Sequence, residues 1–77
     1  MQTSKNELVR IVEHYMRICE KQAQGRATYS LKCLTTYEGN PAAEVYSTPI
    51  GKKPTEDGVE LWGIDVEQGT DGIIYEK

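Results

Sequence analysis

With 77 residues, twelve acidic side chains against nine lysines and arginines, and a formal net charge of −3, the chain is long enough for a single domain and opposes polyanion binding by bulk attraction. Its two cysteines are too few for the disulfide framework of a small secreted protein and suit a reducing compartment. No apolar run approaches the roughly 18 residues that span a bilayer, so a soluble, cytoplasmic protein without a membrane is expected.

Five tyrosines, one tryptophan and no phenylalanine give every aromatic ring a polar tip. Such rings suit the edge of a core or a contact surface better than deep burial. Cys19 and Cys33 have no C-x-x-C spacing, and two buried free thiols are a better expectation than a disulfide.

Ser4-Lys5-Asn6-Glu7 has the capping-box spacing, which predicts a helix starting at Lys5. At 100° per residue Leu8, Ile11, Val12, Tyr15, Ile18 and Cys19 form one apolar stripe, flanked by Met16 and Ala23, while Arg10, Glu13, Arg17 and Lys21 lie opposite. Gly25 tolerates the left-handed conformation that ends helices, so the expected helix covers residues 5–24. From Ala27 the apolar period changes from 3.6 to two. Strands are expected over 27–37, 42–48, 59–67 and 73–76, separated by the turn Glu38-Gly39-Asn40-Pro41, a loop from Pro49 to Gly58, and a turn over 68–72. The order α-β-β-β-β predicts one α+β domain, an N-terminal amphipathic helix packed on a three- or four-stranded antiparallel sheet.

One helix about 10 Å wide cannot cover four strands spaced about 4.8 Å apart. If Leu31, Cys33, Val45, Trp62, Ile64 and Val66 face the helix, strict alternation turns Leu34, Tyr46 and Leu61 away from it. Apolar groups clustered in this way mark a contact surface.

Motifs for chemistry are sparse. His14 is the single histidine and would be the natural general base, but it sits at the margin of the helix stripe with no nucleophile near it in sequence. A metal site would need His14, Cys19 and Cys33 with a carboxylate; five residues put His14 and Cys19 about 140° apart on a helix, too far round to share an ion. Asp65 and Glu67 share a strand face as paired carboxylates could, yet acidic strand residues also discourage aggregation. Gly51-Lys52-Lys53 lacks the spacing of a phosphate-binding loop, and Pro54 follows where a helix would have to begin; the two lysines remain a point of contact for an anion. No cofactor and no catalytic residue are expected.

Charge is segregated. Residues 1–55 carry a formal +3 and residues 56–77 a formal −6, so the last third can steer a basic partner. These features together predict a small non-catalytic protein-binding module, a regulator, inhibitor or adaptor that occupies a partner's surface, with homodimer formation open. Leu34, Tyr46, Lys52, Lys53, Leu61, Asp65 and Glu67 are its expected contact residues. The alternatives are an acidic mimic of nucleic acid that blocks a basic groove, and a nucleic-acid-binding domain. A helix followed by three strands has the order of the first part of a double-stranded-RNA-binding domain, with Lys32, Lys52 and Lys53 available to phosphates, but without its second helix and against the net charge.

Overall fold

A computed structural model describes residues 5–64 and the backbone of residues 74–76. The expected cap Ser4, the turn over 68–72 and the expected strand positions 65–67 and 73 lie outside the described residues.

The first helix, α1, spans Lys5–Gln22. Its stripe is the expected one with its centre moved toward Met16: Ile11, Val12 and Met16 are buried, Leu8, Tyr15 and Cys19 pack around them, and Ile18 is half-buried. The Ala23 N–H still donates to the Cys19 carbonyl at 2.9 Å, but the Gln24 N–H reaches back only three residues, to Lys21, at 3.1 Å. Gln24 and Gly25 then both take left-handed φ values, 54° and 80°. The helix therefore stops two residues short of the expected end, because the reversal begins at Gln24 rather than at the glycine.

Three long antiparallel strands follow: β1 Ala27–Tyr37, β2 Asn40–Pro49 and β3 Val59–Ile64, with β2 in the middle. The backbone of Ile74–Glu76 runs antiparallel beside β3, with Gly63 opposite Tyr75. β2 starts two residues earlier than expected because the hairpin closes on a two-residue turn, Glu38 at φ 51° and Gly39 at φ 81°. Two successive positive φ values are the geometry that matches strand twist. Tyr37 and Asn40 form the closing pair, which directs the nitrogen of Pro41, one residue on, away from β1. The proline thus costs no hydrogen bond to its neighbour.

The largest departure from simple alternation lies in β1. Leu31 pairs with Val45 and Cys33 with Glu44, so Lys32 is an extra residue, a β-bulge. The bulge reverses the facing of every position after it. Leu34, opposite Ala43, packs toward the helix with Leu31 and Tyr29, while Cys33 is exposed on the other side. The expectations that Leu34 faces away from the helix and that Cys33 is buried beneath it are both overturned, for this one reason. Cys19 and Cys33 are free thiols on opposite sides of the sheet.

The core between α1 and the sheet is Ile11, Val12 and Met16 against Ala43, Val45, Trp62 and Ile64. Trp62 is 2% exposed, against the expectation that the polar-tipped rings avoid deep burial. Its indole N–H donates to the Glu60 carboxylate at 3.3 Å, which removes the penalty of burying it. Where the helix ends, the Glu20 carboxylate accepts from the backbone N–H of Tyr29 at 3.1 Å and ties α1 to the outer side of β1.

Candidate functional site

The sheet has a second face, on which no second α-helix lies among the described residues. Register places Tyr46 opposite Val59 and Leu61 opposite Glu44, so these side chains form neighbouring rows on that face. Tyr46, Val59 and Leu61 are each half-buried. Tyr46 and Leu61 thus point away from α1, as alternation predicts for strands without a bulge. Leu34 does not join them.

Beside this apolar strip lies a charged cluster. The Lys32 ammonium donates to the Glu56 carboxylate at 2.7 Å and stands 3.9 Å from Glu44. The Cys33 thiol donates to the same Glu44 carboxylate at 3.0 Å. The bulge makes this possible, since it brings Lys32 and Cys33 together against one residue of β2. The hydrogen bond to Glu56 raises the Lys32 pKa above its ordinary 10.5, and the attraction of both carboxylates adds to it. A raised lysine pKa means that the contact contributes through neutral pH and is lost as the pH rises through that raised value. Because the cluster is exposed, its effect on stability is small.

Glu44 likewise holds the Cys33 thiol above its ordinary 9.0, chiefly by accepting its proton in a hydrogen bond. Alkylation proceeds through the thiolate, so the contact with Glu44 disfavours reaction at Cys33 despite its exposure. Glu44→Gln removes the charge that disfavours the thiolate, and iodoacetamide labelling of Cys33 near pH 8, followed by mass spectrometry, should be faster in that variant than in the wild type. Equal labelling rates would show that Glu44 does not set the thiol's reactivity.

The loop from Ile50 to Thr55 exposes both Lys52 and Lys53. It closes first by a turn in which the Lys52 N–H donates to the Pro49 carbonyl at 3.1 Å, then by a 3-10 turn over Glu56–Gly58. An open groove of about 390 Å³ lies between this loop and the end of β2, with Ser47, Thr48, Lys53, Thr55, Asp57 and Glu60 in its walls. Lys53 belongs to the groove. Lys52 stands in the turn outside its walls. Asp65 and Glu67 lie outside the described residues.

His14 is exposed on α1, edge-on to Tyr15 with ring centres 5.5 Å apart. Among the described residues no three of the His, Cys, Asp and Glu side chains converge as a metal site requires, and no helix is long and apolar enough to cross a membrane. Protein-family models, curated proteins and solved structures contain no match to the chain.

Sequence reasoning did not find the Lys32–Glu56 and Cys33–Glu44 contacts. The partners are 24 and 11 residues apart, and the bulge that assembles them carries no glycine to announce it.

Proposed function

We propose that the chain is a small non-catalytic protein-binding module, a regulator, inhibitor or adaptor that occupies a partner's surface with the sheet face opposite α1. One observation carries the reading. Tyr46, Val59 and Leu61 adjoin one another on that face, which the described helix leaves to its other neighbours. A tyrosine among aliphatic side chains, rimmed by the charged Lys32, Glu44 and Glu56, has the apolar centre and polar edge of a protein contact. The acidic last third of the sequence, with Asp65 and Glu67, would speed encounter with a basic partner.

The test is affinity capture from a lysate of the source cells, nuclease-treated, with the wild type and Leu61→Lys as parallel baits. Leu61 is half-buried on the sheet's second face, so the variant should keep the wild-type circular dichroism spectrum. A protein retained in stoichiometric amount by the wild type and lost with Leu61→Lys supports the module. Retention of the same proteins by both baits, or of none, removes this face as the contact.

A further inference from the structure

Among the described residues β1 is the end strand of the sheet, with β2 on one side only. It is eleven residues long and contains a single charged side chain, Lys32, already engaged by Glu56. A long edge strand of that composition is the kind that recruits another strand unless something blunts it.

The blunting is confined to its first half. Antiparallel pairs alternate between residues that exchange hydrogen bonds with the neighbour and residues whose N–H and C=O point away from it. Tyr29 is of the second kind, and its outward N–H is taken by Glu20. The bulge at Lys32 and Cys33 then interrupts the edge. Beyond it the phase is set by the hairpin, whose two-residue turn closes on the hydrogen-bonded pair Tyr37 and Asn40. Counting back, Thr35 bonds to Ala42, while Leu34 and Thr36 direct their N–H and C=O groups outward. Among the described residues this half of the edge has no cap like Glu20.

We infer that the Leu34–Thr36 edge of β1 pairs antiparallel with the same edge of a second copy, extending the sheet across a twofold axis at Thr35. The register follows from the outward groups. Setting Thr35 opposite Thr35 of the second copy places Leu34 opposite Thr36 and Thr36 opposite Leu34, so that both pairs exchange hydrogen bonds. The threonines at the axis form the close, non-hydrogen-bonded kind of pair, in which side chains approach most nearly. Shifting the register by two in either direction sets one of the two outward positions opposite the bulge or the hairpin turn and leaves a single hydrogen-bonded pair. The edge is separate from the face carrying Tyr46 and Leu61, so this pairing stands or falls independently of the module proposed above.

The test combines mass and trapping. Light scattering after size exclusion, from micromolar to millimolar protein, should show a concentration-dependent dimer. Thr36→Pro removes one outward donor without touching the ladder to β2 and should give a monomer that keeps the wild-type circular dichroism spectrum. In a Cys33→Ser background, Thr35→Cys should form an intermolecular disulfide under mild oxidation far faster than Thr36→Cys, because position 35 meets itself across the axis and position 36 does not. A wild type that stays monomeric at millimolar concentration overturns the inference, and so does trapping of Thr35→Cys no faster than of Thr36→Cys. If Thr36→Pro fails to fold, the trapping comparison decides alone.

Discussion

Trp62→Ala should leave the protein largely unfolded at room temperature. Trp62 is the largest fully buried side chain and stands at the centre of the layer between α1 and the sheet. Its ring lies 5.7 Å from that of Tyr29, tilted by 40°, so it also ties β3 to the edge strand across β2. Truncating a buried tryptophan to alanine costs about 3–5 kcal/mol, whereas a core of this size rarely supplies more than roughly 3–5 kcal/mol in all. The two magnitudes coincide, which is why a single substitution is expected to abolish the fold. Far-UV circular dichroism and urea titration check it directly. Trp62→Phe separates the ring from its donor: it keeps most of the apolar area, loses the bond to Glu60 and should cost much less, near the ~1 kcal/mol of one hydrogen bond. A cooperative, near-wild-type urea transition for Trp62→Ala would show that the core is not organised around this side chain.

Gly58→Ala should lower stability by about 1–3 kcal/mol, the usual cost of forcing extra volume into a packed site. A Cβ at Gly58 would sit 2.6 Å from the carbonyl oxygen of Ser47. That oxygen is backbone of the central strand and has no rotamer through which to retreat. Gly58 does not have a left-handed φ, so strain of that kind adds nothing. Replacing glycine also restricts the unfolded chain, a gain of about 0.4–1 kcal/mol, too small to offset the clash. The midpoint of urea denaturation should therefore fall. Since Glu56 is two residues away, displacement of the 3-10 turn should also loosen its contact with Lys32. An unchanged midpoint would mean that the turn can lift from β2 at no cost.

The helix and the order of the first three strands were legible because each rests on local chemistry, whereas the helix end and the start of β2 each lay two residues from the expected place. Leu8, Ile11, Val12, Tyr15 and Cys19 recur at the helical period, while Tyr29 and Leu31 alternate soon after the reversal at Gln24 and Gly25. The orientation of Tyr46 and Leu61 was legible for the same reason, since β2 and β3 pair without a bulge. Leu34 and Cys33 were not, because the facing of a strand residue depends on an unbroken count along the ladder, and a bulge is decided by the partner strand. Trp62 misled in another way. Its polar tip argued for an edge position, but Glu60, two residues earlier on the same strand face, brings an acceptor into the core's margin.

The bulge has a consequence for the length of the chain. Without Lys32, the sequence Tyr29-Ser30-Leu31-Cys33-Leu34 would alternate strictly, with Tyr29, Leu31 and Leu34 all on the helix side, where they lie now. Lys32 is in this sense a supernumerary residue, absorbed at one point of the ladder so that the core on either side is unaffected. A shorter version of the strand, lacking it, would keep the same interior and lose only the ammonium that holds Glu56. Deleting Lys32 would thus change only the sheet's second face and the loop fastened to it.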